Sequence, residues 1–162
     1  MEISYLMLGG NVGDRAEYLR RSIDFLNRDA GTVTEMSSVY ESEPWGFGHP
    51  VWFLNQAVKL DTTLNPRELL ECIHHIELAL GRIRTGKGYE ARTADIDILF
   101  YGNLIVNTPE LTIPHPRIAE RMFVLKPLAE LAPNLIHPLF QQNIRALAEH
   151  CPDMSEVRKF RD

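Results

Sequence analysis

The chain has 162 residues, of which 44% are hydrophobic and 24% are charged, and its formal net charge is −5. This length and composition fit a single globular domain over residues 1–162, and the acidic balance argues against a surface that coats nucleic acid. No apolar run has the length of a membrane span, and no signal-peptide pattern is present. Cys72 and Cys151 lack a metal-ligand spacing, so we expect a cytoplasmic protein with reduced thiols.

The first elements predicted along the chain are a strand and a helix. Residues 2–8 alternate and then run apolar, which indicates a central strand. The glycine-rich turn 9–13 that follows lacks the G-x-G-x-x-G spacing of a dinucleotide site. Asp14 and Glu17 form a capping-box pattern at the start of a helix, and Gly31 ends that helix.

Two strands, a second helix and a fourth strand come next. Residues 32–40 and 53–60 alternate in part and predict the second and third strands. The sequence Asn-Pro-Arg-Glu at 65–68 is a strong helix start, and Gly81 ends that helix. Residues 94–101 predict the fourth strand.

The remainder predicts a C-terminal extension to this core. Gly102-Asn103 gives a hairpin signal, and the three prolines within 107–116 predict irregular structure. A short helical run, a helix over 141–150 and a polar tail after Pro152 complete the chain. The order βαββαβ predicts an α+β fold of the ferredoxin-like plan, with a mainly antiparallel sheet and helices packed on it.

A cationic loop and a carboxylate pair stand together in residues 82–99. The loop carries Arg82, Arg84 and Arg92, and Asp95 and Asp97 follow on the predicted strand. Residues two apart in a strand point to the same face, and paired carboxylates suit Mg²⁺ that is shared with a phosphate. The pattern therefore predicts a site for a metal-bound polyphosphate. The alternative is an exposed loop beside a solvated strand face, and a lone D-x-D pair more often has that meaning.

Three other features have both a binding and a structural interpretation. Residues 42–53 contain two tryptophans and two phenylalanines, as in a loop that is packed down or that holds a planar ligand. Asn55 lies between apolar residues, where its amide could pair with a heterocycle or with the backbone. His115 lies between two prolines and is either a phosphate donor or an exposed loop histidine.

Taken together, separated pieces of the chain resemble the 6-hydroxymethyl-7,8-dihydropterin pyrophosphokinase family over nearly the whole length. The pieces are LGGN at 8–11, the Tyr40-to-Trp45 loop, Phe53-Leu-Asn55, Gly81-Arg-Ile-Arg84, Arg92-Thr-Ala-Asp-Ile-Asp-Ile98, and Pro114-His115 with Arg121 and Phe123. The resemblance implies Mg²⁺-dependent transfer of pyrophosphate from ATP to the hydroxymethyl group of the pterin, with release of AMP, in folate biosynthesis. It also implies two Mg²⁺ ions with ATP as co-substrate, and we expect a monomer that binds no nucleic acid and no membrane.

The resemblance assigns a role to each matching residue. The catalytic set that it implies is Arg82, Arg92, Asp95 and Asp97, with Asp95 and Asp97 as the metal ligands. The implied ATP-binding set is Glu77, Arg82, Arg84, Tyr89, Arg92, Ile98, Thr112, His115 and Arg121. The implied pterin-binding set is Ser42, Glu43, Pro44, Trp45, Phe53, Asn55, Asp95 and Phe123.

The loop departs from the family pattern at Tyr89, Glu90 and Ala91, where a tryptophan followed by Gly-Pro is usual. Tyr89 can still stack on a base, whereas Glu90 brings negative charge near phosphates. Two other functions are alternatives: a non-catalytic nucleotide-binding module of ferredoxin-like fold, and a nucleic-acid-binding module, which would need a basic sheet. The presence of the whole catalytic set favours the enzyme.

Overall fold

A computed structural model describes residues 1–43, 51–81 and 93–161. The elements in chain order are β1 (Glu2–Gly10), α1 (Arg15–Asp29), β2 (Thr32–Met36), β3 (Tyr40–Ser42), β4 (Phe53–Thr62), α2 (Pro66–Ala79), β5 (Asp95–Tyr101), β6 (Val106–Asn107), β7 (Thr112–Ile113), a 3₁₀ turn (Ile118–Glu120), α3 (Met122–Leu131), α4 (Ile144–Glu149) and β8 (Val157–Lys159).

The main sheet is antiparallel, with the strand order β5-β1-β4-β3-β8 and with β2 also paired to β4. If β2 and β3 are taken as one interrupted strand, the connectivity up to β5 is βαββαβ. The predicted α+β fold, with an antiparallel sheet and helices packed on it, is therefore confirmed. Within the described residues, no helix is both long and apolar enough to cross a membrane.

Helices cover both faces of the sheet, with α1 and α2 on one face and α3 and α4 on the other. One core cluster joins α1 and α2 to the sheet through Leu6, Leu8, Leu19, Leu26, Leu54, Val58, Leu60, Leu69, Ile73, Ile76, Ile96 and Ile98. The other joins α3 and α4 to the opposite face through Met7, Ala57, Leu99, Val124, Leu125, Leu128, Ile144 and Leu147. The C-terminal extension therefore completes a second layer of core.

The predicted helix caps are present. The side chain of Asp14 accepts a hydrogen bond from Glu17 N at 3.1 Å. Asn65 and Glu68 form the full reciprocal capping box, with both bonds at 2.9 Å. Gly81 ends α2 with φ of 89°, a left-handed conformation that favours glycine.

The expectation of one strand over residues 32–40 is wrong, because the regular pairing is interrupted between Met36 and Tyr40. The Ser37 hydroxyl accepts from Ala57 N at 3.0 Å, while the Gln56 side chain donates to Ser37 O at 2.9 Å. Ser37 N also donates to Ala57 O at 2.9 Å, so Ser37 contacts Ala57 through both its backbone N–H and its hydroxyl, and this irregular pairing separates β2 from β3. This break lets β3 run beside β4 at the level of Asn55.

Three expectations for the C-terminal half also need correction. The turn at Gly102 does not lead into a hairpin with β5, since β6 instead pairs with β7 at Val106↔Ile113. The supposedly irregular segment thus contains a short ladder. The polar tail contains β8, which pairs with β3 at Ser42↔Val157.

Candidate functional site

Strand β5 carries the carboxylate pair at one end of the strand order. Ile96 and Ile98 are each 4% exposed in the core under α1 and α2, whereas Asp95 and Asp97 are half-buried. Asp95 lies opposite Gly9 and Asp97 opposite Met7 on β1. Because Met7 packs under α3, both carboxylates project on the α3 side of the sheet. The structure thus places them on one face, as the spacing predicts.

A row of residues crosses three strands at this end of the sheet. Gly9 on β1 is in register with Asn55 on β4 and with Asp95 on β5. Directly opposed residues of antiparallel strands share a face, so the two side chains flank a glycine with about 10 Å between their Cα atoms. A Cβ at Gly9 would lie 3.0 Å from Asn55 Oδ1, so glycine leaves the space beside this amide free of side chain.

The amide of Asn55 is held from within the protein. Its Nδ2 donates to the Ser42 hydroxyl at 2.7 Å, and the two residues are 4% and 2% exposed. This bond fixes which end of the amide faces Ser42 and directs Oδ1 to the Gly9 side. Phe53 lies two residues before Asn55 on the same face of β4, and it is paired with Ser42 of β3. A polar, aromatic wall therefore borders the row on the β3 side.

Buried Glu77 supports the strand between the two aspartates. Its carboxylate on α2 accepts from Ile96 N at 2.8 Å, and the residue is 1% exposed. The resemblance places Glu77 among the ATP-binding residues. The geometry shows that its carboxylate ties α2 to β5.

His115 lies beside β5 in a defined tautomer. Its backbone N donates to Leu99 O at 3.0 Å, and its Nδ1 accepts from Arg117 N at 3.2 Å. Because Nδ1 is the acceptor, the neutral ring carries its proton on Nε2. Burial lowers the pKa of His115; the nearby negative charge of Asp95 opposes this shift and Arg117 adds to it. The ring is thus a neutral Nε2–H donor, and the charge of Asp95 acts on its pKa.

Arg121 and Phe123 lie at the start of α3. Arg121 is 8% exposed, and its guanidinium carbon is 5.7 Å from the centroid of the Phe123 ring. Burial lowers the pKa of the Arg121 guanidinium, and the negative charge of Asp153 opposes that shift. The N-terminus of α3 therefore presents a cation and an aromatic ring together.

The remaining residues that the resemblance assigns to the site fall into two groups: some have described contacts, and others lie outside the described residues. Glu43 accepts from Glu156 N at 3.0 Å through its carboxylate, and Thr112 is half-buried on β7. The side chain of Ile98 is in the core, so only its backbone is available to a ligand. Six predicted residues lie outside the described part of the chain: Pro44, Trp45, Arg82, Arg84, Tyr89 and Arg92.

A cavity of about 510 Å³ was not predicted from the sequence. It lies between α2 and the β6–β7 ladder and is lined by Asn65, Pro66, Arg67, Leu70, Glu71, His74, Val106, Thr108, Glu110 and Leu111. Its walls combine four apolar residues with six polar or charged residues, so it offers both apolar surface and hydrogen-bonding groups to a small molecule. Leu70 and His74 face it at helical spacing, but that spacing alone also describes an ordinary helix surface.

The donor set on β5 suits a metal that takes part of its coordination from substrate. Among residues 1–43, 51–81 and 93–161, no group of three or more His, Cys, Asp or Glu residues could hold a metal ion. Two carboxylates on one face match Mg²⁺, which keeps water ligands and shares phosphate oxygens. Asp95 and Asp97 therefore fit Mg²⁺ bound together with a polyphosphate.

Comparisons with known proteins show which family the chain resembles. The model of the family described as 7,8-dihydro-6-hydroxymethylpterin-pyrophosphokinase (HPPK) matches residues 5–133. The chain is 48% identical over 130 residues to the 2-amino-4-hydroxy-6-hydroxymethyldihydropteridine pyrophosphokinase of Bacillus subtilis (strain 168), which covers 80% of this chain and 77% of that one. It is 40% identical to the protein of the same name from Aquifex aeolicus (strain VF5), over 90% of this chain and 89% of that one.

Longer proteins contain a similar segment. The chain is 39% identical to the folic acid synthesis protein fol1 of Pneumocystis carinii over 94% of its own length, and it spans 20% of that protein. The crystal structure of Plasmodium falciparum HPPK-DHPS wild type with pteroate has a TM-score of 0.76 at 17% identity, covering 91% of this chain and 42% of that one. This likeness supports the fold.

Proposed function

The chain belongs to the 7,8-dihydro-6-hydroxymethylpterin-pyrophosphokinase family, and we propose that the α3-side face of β4, β1 and β5 carries its reaction. The reaction is the transfer of pyrophosphate from ATP to the hydroxymethyl group of 6-hydroxymethyl-7,8-dihydropterin, with release of AMP, in folate biosynthesis. The observation that carries the placement is the row of Asn55, Gly9 and Asp95 across three adjacent strands.

The pterin binds over Gly9, between Asn55 and Asp95. Asn55 reads the amide-like edge of the ring, and the Ser42 hydroxyl holds that amide in one orientation. Phe53 and Phe123 supply the two aromatic faces of a sandwich, which is the strongest way to hold a flat ring with few polar contacts. Following the resemblance, backbone groups of Ser42, Glu43, Pro44 and Trp45 help Asn55 to bind the edge of the ring.

Asp95 and Asp97 are the residues that would hold two Mg²⁺ ions. When bound, Mg²⁺ neutralises negative charge on the phosphates and lowers the cost of deprotonating the hydroxyl. The residues themselves supply position, since Asp95 shares its cross-strand row with Gly9 and so lies next to the proposed pterin hydroxymethyl group. Pyrophosphoryl transfer depends mostly on such in-line placement and on cations where charge spreads.

Arginines of the loop complete the phosphate site. Following the resemblance, Arg82 and Arg92 contact the phosphates, with Arg92 acting in the transition state. Arg84 and Tyr89 bind ATP from the same loop. Guanidinium groups suit this role because they remain charged and bind phosphate oxygens with two donors at once.

The nucleoside end of ATP extends toward α2 and the β6–β7 ladder. His115 donates from Nε2, a role that suits its neutral tautomer, and Arg121 adds a buried cation. Thr112 directly follows Leu111, which lines the cavity of about 510 Å³, and Ile98 offers only its backbone to ATP. Glu77 acts indirectly, because its carboxylate accepts from Ile96 N and so fixes β5.

We further propose that the protein is a single-domain monomer of the cytoplasm, with no nucleic-acid or membrane partner. A mass near 18.6 kDa by light scattering is the expected result for a monomer, and a stable dimer at micromolar concentration would contradict it.

The direct test is to incubate the protein with ATP, Mg²⁺ and 6-hydroxymethyl-7,8-dihydropterin and to measure AMP. AMP that depends on the pterin is the expected product. Formation of ADP, or nucleotide binding without turnover, would contradict the enzyme and favour the non-catalytic nucleotide-binding module.

The metal assignment is tested by Asp97→Ala, which should lower the rate by at least about 10²-fold, as loss of a charge-stabilising group does elsewhere. Pterin binding without ATP should persist in this variant. Asp61→Ala is the matched control, because Asp61 lies on the same sheet but pairs with Ile3 and Thr32 at the other end of β4. Normal turnover of Asp97→Ala would refute the assignment.

A further inference from the structure

The segment after α4 returns to the site, although it lies beyond the residues 5–133 that the family model matches. Glu156 N donates to the Glu43 carboxylate at 3.0 Å, and Val157 pairs with Ser42. Lys126 on α3 donates to Val157 O at 2.8 Å. The segment therefore links β3 to α3, and both elements carry residues assigned above to substrate.

Asp153 in the same segment makes two further hydrogen bonds, one of them to the start of α3. Its Oδ2 accepts from Met122 N at 2.9 Å, and its Oδ1 accepts from Ser155 N at 2.9 Å. Met122 is the first residue of α3, so a carboxylate from a remote segment caps this helix. Such a cap satisfies an N–H that has no partner inside the helix, and it places negative charge at the positive end of the helix dipole.

The capped N–H belongs to the peptide bond that joins Arg121 to Met122. Arg121 has extended backbone angles (φ −129°, ψ 108°), so the chain turns into α3 at this peptide. Arg121 is also 8% exposed, and the charge of Asp153 favours its charged form. A change in the Asp153 contact would therefore alter both the direction and the electrostatic environment of the Arg121 side chain.

We propose that Asp153 is a positioning residue for the pyrophosphokinase reaction, which fixes the Arg121–Met122 peptide and thereby aims the Arg121 guanidinium at ATP. This inference rests on the proposed role of Arg121. It extends the functional part of the chain beyond residue 133, where the family model ends.

A double-mutant cycle tests the proposal in the full chain. Asp153→Asn keeps the shape of the side chain but removes its charge and one acceptor. It should raise the KM for ATP about tenfold and change kcat less, as expected when Asp153 acts on Arg121 through the Met122 peptide N–H and through its charge. In the Arg121→Ala background the same change should alter KM less than about twofold. Glu149→Gln, an acid-to-amide change at an exposed position of α4, is the control and should leave KM unchanged.

Stability is measured in parallel, because loss of the helix cap alone should lower the melting temperature in both backgrounds. Asp153→Ser, which removes the charge and shortens the side chain by one atom so that it no longer holds Met122 N as the carboxylate does, repeats the cycle in case the amide variant folds poorly. An equal KM change in both backgrounds, or none in either, would overturn the proposal. A wild-type protein that makes no AMP would instead refute the proposed function.

Discussion

Removal of the Glu77 carboxylate should destabilise the protein and displace the aspartate strand at the same time. Glu77 is 1% exposed and accepts from Ile96 N at 2.8 Å. In Glu77→Ala the Ile96 N–H loses this acceptor in a buried place, which costs about 1–3 kcal/mol of unfolding free energy. For a domain of this size each kcal/mol lowers the melting temperature by about 2–4 °C. Glu77→Gln keeps the volume and an amide oxygen, so its loss should stay under about 1 kcal/mol.

Urea unfolding and AMP formation together measure both consequences. Because Ile96 lies between Asp95 and Asp97, Glu77→Ala should also lower kcat/KM by about 10- to 100-fold, as small misplacements of catalytic groups do. Glu71→Ala is the stability control on the same helix. Its exposed pair with Arg67, at 3.5 Å, should contribute under about 0.5 kcal/mol. If Glu77→Ala unfolds at the same urea concentration as the wild type, the anchoring argument is refuted.

Three further predictions use single contacts of the site face. Asn55→Ala should raise the KM for the pterin about tenfold or more, whereas Gln56→Ala, which removes the adjacent amide from the opposite face, should lower stability and leave that KM unchanged. His115→Asn keeps an acceptor in place of Nδ1 but removes the Nε2 donor, so ATP titrations should show about tenfold weaker binding with an unchanged melting temperature. Burial, with the hydrogen bond to Glu130, raises the pKa of Tyr40 from 10.0 to about 12. The contribution of this shift to the free energy of unfolding is fully present below pH 10 and is lost as the pH rises to about 12. In melting scans from pH 8 to 12, the melting temperature of Tyr40→Phe should therefore fall less steeply with pH than that of the wild type.

Local signals in the sequence were sufficient for most of the core. The helix start at Asn65 is determined by the residue itself and by Glu68, within one turn, and both bonds are present. The apolar residues Leu69, Ile73 and Ile76 of α2, and Leu80 directly after it, are all buried, because a period near 3.6 residues places them on one face. Features whose cause lies within a few residues were therefore predicted correctly.

Features that depend on distant pairing could not be predicted in the same way. The break at Ser37 exists because its hydroxyl bonds Ala57, which is 20 residues away. Strand β8 forms only because β3 offers it an edge, and its sequence, Val-Arg-Lys, carries no strand signal of its own. The same holds for the β6–β7 ladder, which replaces the hairpin expected after Gly102.

In the candidate site too, local features were predictable from the sequence and features that depend on strand pairing were not. The spacing of Asp95 and Asp97 was enough to place both on one face, since alternation is a local property. The alignment of Asn55 with Asp95 across Gly9 depends on the register of two strand pairs, which a single sequence does not specify. The sequence suggested each side chain separately, and only the sheet shows that one glycine separates them.

One sheet face serves as both core and site, and the boundary between the two falls between consecutive cross-strand rows. Met7 and Ala57 form one row and pack under α3 in the core. Two residues further along the strands, Gly9 and Asn55 form the next row, and neither belongs to that core cluster. Because α3 starts at Met122, the position of its first turn limits how far the apolar layer extends. A contact that fixes this turn therefore also fixes the edge of the site, which is why a helix cap from the C-terminal segment should affect substrate binding as well as stability.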